Sequence, residues 1–265
     1  MTAPTSSRGD AGTAPARATA TALPAVTATF WIIKVITTGA GETASDTLGH
    51  HLAPPVAVAI AGALLVVALA AQLTVRRYVP WVYWSAVTMV SVFGTMAADA
   101  LHVGLGMPYV TSTVLFAVGL GVVLGAWWLR EGTLAIHSVT SRRRECFYWA
   151  TVLATFALGT AVGDLTATVL DWGYLASGAV FLVAISVPAA AHRWLGLGAV
   201  PAFWIAYVLT RPLGASFADW GAAARAAGGL DIGAGTVTVV LLALIVVLVA
   251  RLTLADRREA LDRRG

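Results

Sequence analysis

Charged residues are scarce in this chain: Asp, Glu, Lys and Arg make up 11% of its 265 residues, whereas 58% are hydrophobic. A soluble domain carries about 25% charged residues. Lipid must therefore be the solvent, and every backbone polar group must be satisfied within helices or a closed barrel. Barrel strands alternate apolar and polar residues, but this chain has long runs of Ala, Val and Leu instead. The composition predicts an all-α membrane protein.

Catalytic and metal-binding motifs are missing as well. The single cysteine, Cys146, excludes an internal disulfide and any CxxC metal site. The chain has no HExxH motif, no GxSxG with a histidine partner and no phosphate loop. The segments between the hydrophobic runs are too short for a nucleotide-binding domain. We therefore expect neither enzymatic activity nor a cofactor.

Basic residues exceed acidic ones, giving a formal charge of +4. Such an excess also suits nucleic-acid binding, but the arginines lie in short clusters beside hydrophobic runs, as in cytoplasmic loops. The positive-inside rule then predicts a multi-pass protein of the inner (plasma) membrane with both termini in the cytoplasm and no nucleic-acid partner. The clusters are Arg76–Arg77, Arg142–Arg144, Arg193 and residues 251–264.

About 20 mostly apolar residues are needed to span a membrane, and the hydrophobic runs predict about eight such helices. Residues 1–21, rich in Thr, Ala, Pro and Ser, are predicted to form a disordered tail. Residues 22–255 form one transmembrane domain in this prediction, followed by a basic tail over residues 256–265. The predicted helices cover residues 27–49, 53–75, 81–103, 108–129, 146–169, 173–191, 199–219 and 234–253.

An internal repeat is the strongest feature of the sequence. Four segments align without a gap: FWIIKVITTGAGETASD, YWSAVTMVSVFGTMAAD, YWATVLATFALGTAVGD and FWIAYVLTRPLGASFAD. Each opens with an aromatic residue and a tryptophan, has a glycine ten residues after that tryptophan, and has an aspartate fifteen residues after it. The repeats cover approximately residues 27–77, 80–130, 145–193 and 199–253. Their shared positions are Trp31, Trp84, Trp149 and Trp204; Gly41, Gly94, Gly159 and Gly214; and Asp46, Asp99, Asp164 and Asp219.

Four tandem repeats of two spans, each with a tryptophan, resemble a family of bacterial integral membrane proteins of unassigned function. Some of its members carry the label "membrane-anchored protein". The resemblance covers residues 28 to 253. It implies the fold and implies no activity.

Because each repeat has two spans, successive repeats enter the membrane in the same direction. The pseudo-symmetry axis is then predicted to run along the membrane normal, as in parallel repeats. Four copies can close into a ring, with the polar first helices inside and the apolar second helices facing the bilayer. In this arrangement the tryptophans are expected to anchor at the headgroup level, and the glycines to allow close helix packing.

The aspartates lie about 22 Å beyond the tryptophans, inside the hydrocarbon core. A carboxylate at that depth is costly unless it is neutralised or paired. Residues three and four apart share a helix face, so polar residues preceding each aspartate form a stripe along each first helix. The stripe comprises Thr38, Glu42, Thr88, Ser91, Thr95 and Thr160.

Within the spans we count five acids and two bases, a net charge of −3 if all are ionised. The bases, Lys34 and Arg211, are predicted counter-charges. Arg211 is expected to pair with a carboxylate of another repeat, and Lys34 either to do the same or to extend to the cytoplasmic surface. The excess of acids favours a small cation, divalent or coupled to protons, as a partner. Glu42 is expected to assist the four aspartates in binding it.

Two functional hypotheses follow. In the first, the protein is a transporter or channel for this cation. In the second, it is a non-catalytic scaffold or regulator in which the repeated motif only holds helices together. Three histidines near the aspartates, His50, His51 and His102, add a possible transition-metal site, although histidines in loops are usually only solvated.

Overall fold

The computed structural model describes residues 22–262, and this part of the chain is entirely helical, without a strand. The predicted tail over residues 1–21 lies outside the described residues. Two π-helical segments, Ala100–Gly104 and Leu165–Val169, directly follow α3 and α5. The eight α-helices are α1 (Ala28–His51), α2 (Pro54–Thr74), α3 (Pro80–Asp99), α4 (Tyr109–Glu131), α5 (Arg142–Asp164), α6 (Gly173–Trp194), α7 (Ala199–Ala222) and α8 (Ala234–Asp262). The predicted all-α fold of four two-helix repeats is confirmed.

Local capping sets the helix ends. The Thr27 side chain accepts a hydrogen bond from the Phe30 backbone N–H at 3.2 Å, which caps α1. Ser141 caps α5 in the same way, so α5 begins at Arg142, four residues before the predicted start. At the other end of the chain, α8 continues to Asp262, and most of the predicted basic tail over residues 256–265 is therefore the end of this helix.

The first helices of the four repeats close into a ring. Helix α1 packs against α3, α3 against α5, α5 against α7, and α7 returns to α1. The second helices lie outside this ring, and each packs chiefly on the first helix of the next repeat: α2 on α3, α4 on α5, α6 on α7 and α8 on α1. We call the end of the ring where α1, α3, α5 and α7 begin the Trp end, and the end where they finish the Asp end.

Glycines set the spacing between neighbouring helices of the ring. A Cβ atom on Gly41 would overlap Ser91 of α3, and one on Gly94 would lie 2.8 Å from Phe156 of α5. The same relation repeats between Gly159 and Arg211, and between Gly214 and Thr38. In every case the glycine faces the residue seven positions after the tryptophan of the next repeat. The four repeats therefore obey one cyclic packing rule.

Six of the described helices are long and apolar enough to cross a membrane: α2, α3, α4, α5, α6 and α8. Helices α1 and α7 have comparable length, but they carry Lys34, Glu42 and Arg211 toward the inside of the ring. The outer helices expose large apolar side chains such as Val66, Val122 and Val183. These features indicate a multi-pass membrane protein whose polar residues are kept within the ring.

Candidate functional site

An aromatic layer fills the ring at the Trp end. The residue before each tryptophan packs its ring against the tryptophan of the next repeat, at centroid distances of 5.7, 5.6, 6.2 and 5.6 Å around the ring. The pairs are Phe30–Trp84, Tyr83–Trp149, Tyr148–Trp204 and Phe203–Trp31.

Three of the four tryptophans are buried, namely Trp84, Trp149 and Trp204. Ring closure places each of these indoles against its neighbouring repeat, and their anchoring at the headgroup level stays a prediction. Tyr83 and Tyr148 also meet through their hydroxyl groups, 2.6 Å apart. The layer thus closes the ring at this end.

Lys34 lies below the aromatic layer and is fully buried. Its Nζ is 4.0 Å from the centre of the Phe156 ring and 4.3 Å from that of Tyr207. It has no hydrogen-bond partner or carboxylate in contact within the described part of the chain. Neither expected arrangement is found: Lys34 does not pair with an acid, and it does not extend to the surface.

A cluster of polar side chains crosses the ring at mid-height. Arg211 of α7 forms a salt bridge with Glu42 of α1 and also donates hydrogen bonds to Thr95 of α3 and to Thr160 of α5, the latter at 2.7 Å. Glu42, Thr95 and Thr160 each stand eleven residues after their repeat's tryptophan. Arg211 therefore pairs with a carboxylate of another repeat, as its sequence context predicted. We call these four residues the central cluster.

The four aspartates lie one helical turn beyond the central cluster, toward the Asp end. A carboxylate oxygen of Asp99 and one of Asp164 lie within 4.8 Å of each other. Asp46 and Asp219 also line one cavity of about 520 Å³, together with His50, His51 and Tyr174. The carboxyl groups of neighbouring repeats thus lie in two pairs at the Asp end, Asp99 with Asp164 and Asp46 with Asp219.

Two of these aspartates adjoin a buried histidine. His102 lies in the π-helical segment after Asp99, and its Nδ1 is 3.6 Å from the Asp164 carboxylate. One ligand atom each from Asp99, His102 and Asp164 lies within 4.8 Å of the others. Carboxylate and imidazole in this arrangement match the ligands of first-row divalent metals.

Five predicted residues remain, and they do not all lie at the same place in the ring. Thr38 and Ser91 bridge helices of the ring, since Thr38 donates to the Thr210 carbonyl at 3.1 Å and Ser91 donates to the Thr38 carbonyl at 3.4 Å. Thr88 does not bridge helices, because within residues 22–262 its hydroxyl donates to the Trp84 carbonyl of its own helix, at 2.8 Å. His50 and His51 lie in the cavity and do not join His102.

Sequence reasoning missed several residues of the site. Phe156 and Tyr207, which surround Lys34, occupy the positions seven and three after their tryptophans, where no other repeat has an aromatic residue, so the repeat alignment gave no signal for them. Ser112, which contacts the Nε2 of His102, lies on an outer helix, outside the aligned segments. No sequence signal pointed to it.

This geometry defines an all-helical, multi-pass membrane protein built from four two-helix repeats around a polar axis. Residues 29–78, 82–133, 147–196 and 202–258 each match a family described as Repeat of Unknown Function (DUF347). The chain belongs to this repeat family, in agreement with the resemblance noted from its sequence. No curated protein and no solved structure matches it.

Proposed function

We propose that the protein transports a small cation across the membrane and that Asp46, Asp99, Asp164 and Asp219 bind it. One observation carries this proposal: four carboxyl groups gather at the Asp end, and among residues 22–262 none of them has a lysine or arginine within ion-pair distance. Charged groups inside a membrane are costly when unpaired. A cation or protons from solution would balance them.

The two basic residues inside the ring, Arg211 and Lys34, do not neutralise the aspartates. Arg211 already compensates Glu42 in the central cluster. Lys34 is held between two aromatic rings on the Trp-end side of that cluster. Anion transport would favour an unpaired base at the Asp end, whereas the described part of this chain offers acids without a lysine or arginine partner there.

The closed Trp end favours a transporter over an open channel. The aromatic layer and the central cluster together fill the ring between that end and the aspartates. A cation bound at the aspartates could reach the other side only after these contacts separate, as alternating access requires. Placing the arginine-rich loops in the cytoplasm would make the Asp end the outer one.

A scaffold function is the second candidate. It is favoured by the glycine contacts and by the Arg211–Glu42 bridge, since both hold the ring together without needing a ligand. Under this hypothesis the aspartates would be dispensable for anything but folding. In neither case do we expect enzymatic activity, and the lipid bilayer of the plasma membrane remains the expected surrounding.

Flux measurements distinguish the two hypotheses. Purified protein would be reconstituted in liposomes containing a fluorescent indicator for divalent cations or for protons. We expect cation entry with the wild type and loss of at least about 90% of the rate with Asp164→Asn, because one interior carboxylate is removed. Asp171→Asn is the matched control, since Asp171 is an exposed residue with a left-handed backbone that asparagine tolerates.

The scaffold hypothesis predicts a different result. Wild-type protein would then give no flux above that of empty liposomes, and this outcome would overturn the proposed transport function. A folded Asp164→Asn variant that keeps the full rate would instead overturn the role of Asp164 in binding the cation. Size-exclusion profiles of both variants in detergent check that folding is preserved.

A further inference from the structure

We infer that the cation is a first-row divalent transition metal and that, of the four aspartates, Asp99 and Asp164 form one binding site for it together with His102. As a statement about the transported ion, this rests on the function proposed above. As a statement about a binding site, it stands on the geometry of these three residues alone. They come from two neighbouring repeats, so the site lies across the contact between α3 and α5.

The surroundings of Ser112 favour one of the two tautomers of the His102 ring. Its Nε2 contacts the Ser112 hydroxyl, and that hydroxyl in turn donates to the Tyr109 carbonyl at 3.0 Å. The Ser112 oxygen is thereby left to accept from an Nε2–H. The Nδ1 of His102 then carries a lone pair and no proton.

That lone pair points at another acceptor. The side chain of His102 is 2% exposed, and its Nδ1 has no hydrogen-bond partner within the described part of the chain. The nearest charged group is the Asp164 carboxylate at 3.6 Å, itself an acceptor when ionised. Two facing acceptors repel each other unless a proton or a metal ion lies between them. A metal ion can bind both and also the nearby Asp99 carboxylate, which a single proton cannot do.

The distances fit after a small contraction. Ligands about 2.1 Å from one ion are at most about 4.2 Å apart, and the three ligand atoms here lie within 4.8 Å. The required movement is a fraction of an ångström for each side chain. The backbone is π-helical directly after both Asp99 and Asp164. Short π-helical turns within α-helices are frequent at functional sites.

The ligand types select the kind of metal. One imidazole nitrogen with two carboxylates suits Mn²⁺, Fe²⁺, Ni²⁺ or Zn²⁺, whereas Mg²⁺ and Ca²⁺ favour oxygen ligands alone. The contact of Ser112 with the far nitrogen of His102 is the kind of support that orients metal-bound histidines. Ser112 is therefore a positioning residue, and it does not touch the ion.

Binding of Zn²⁺, Mn²⁺ and Mg²⁺ to the detergent-solubilised full chain, measured by titration calorimetry, tests the site. We expect binding of Zn²⁺ or Mn²⁺ and weaker or undetectable binding of Mg²⁺. His102→Gln should weaken binding at least about 100-fold, and Ser112→Ala about 10-fold. His50→Gln, which alters one of the two exposed histidines of the neighbouring cavity, should bind as the wild type does.

Three outcomes would overturn the site: no binding of Zn²⁺ or Mn²⁺ by the wild type, unchanged binding by His102→Gln, or loss of binding only in His50→Gln. If His102→Gln does not fold, Ser112→Ala decides, and unchanged affinity in that variant overturns the site. Metal binding without flux would overturn transport but leave the site standing. Flux of protons or alkali ions without transition-metal binding would overturn the metal site but leave transport standing.

Discussion

Arg211 donates hydrogen bonds to side chains of the three other repeats, and its guanidinium is fully buried. Its partner Glu42 is 5% exposed. Removing one member of a buried pair leaves an uncompensated charge, which usually costs about 3–5 kcal/mol. Replacing both members with apolar residues removes that penalty, so the pair should show strong coupling.

We therefore predict that Glu42→Met lowers the free energy of unfolding by about 3 kcal/mol. The double variant Glu42→Met/Arg211→Met should lose clearly less than the sum of Glu42→Met and Arg211→Met. Denaturation in mixed micelles measures all four proteins of this cycle. Additive losses would show that the two side chains do not form the pair described here.

Lys34 is predicted to behave in the opposite way. Contact with aromatic faces stabilises a desolvated cation by about 2 kcal/mol, whereas burying the ion costs several kcal/mol. Methionine has a similar length and no charge. Lys34→Met should therefore unfold at the same temperature as the wild type or a higher one, and a loss as large as that of Arg211→Met would contradict this reading.

At the scale of the helices, close packing within the ring depends on one glycine per repeat. Gly214 shows this most clearly, since a Cβ atom there would lie 2.5 Å from the Val35 carbonyl oxygen and 3.1 Å from the Gly39 nitrogen. Both are backbone atoms of α1, so α1 and α7 would have to separate. Glycines of the outer helix α4 face open space instead.

Gly214→Ala should accordingly destabilise the protein by about 1–3 kcal/mol through overpacking. Gly119→Ala, in α4 with nothing within 4 Å of the new Cβ, should be neutral or stabilising by up to about 1 kcal/mol because alanine favours helix. Thermal unfolding in detergent compares the two. Equal effects would mean that the contact between α1 and α7 is not as tight as described.

Helices α1 and α7 fall outside the six that are apolar enough to span a membrane on their own. We predict that both cross it nonetheless, since their polar residues face the ring. In a Cys146→Ser background, Leu195→Cys precedes α7 and Ala226→Cys follows it, at exposed positions. An impermeant maleimide should label 226 in intact cells and 195 only after permeabilisation. Labelling of both from one side would show that α7 does not cross.

At the scale of the molecule, the repeat predicted the number of helices, their order and the inner position of the first helices. It did so because Trp, Gly and Asp recur at fixed offsets. It did not predict that each second helix packs on the next repeat, since helix contacts are not encoded in spacing. The burial of Trp84 and the aromatic surroundings of Lys34 arise only when four repeats close on each other.

The candidate site was predictable to a similar extent. Four aspartates at one depth indicated a shared region, and Arg211 was expected to find a carboxylate. The sequence did not indicate that His102 would join Asp99 and Asp164 while His50 and His51 would not. That difference depends on the π-helical segment after Asp99 and on Ser112 of α4, which fixes the imidazole.

The gathering of aspartates from opposite repeats around one interior space is the central claim. Cross-linking tests it most directly, in a Cys146→Ser chain carrying Asp46→Cys and Asp164→Cys and treated with a short bifunctional maleimide. We predict efficient intramolecular linkage, detected by mass spectrometry of the linked peptides, and none for a control pair with Asp46→Cys and Thr140→Cys at opposite ends of the ring. Failure of the 46–164 pair to link in folded protein, with both cysteines reactive toward a monofunctional maleimide, would contradict it.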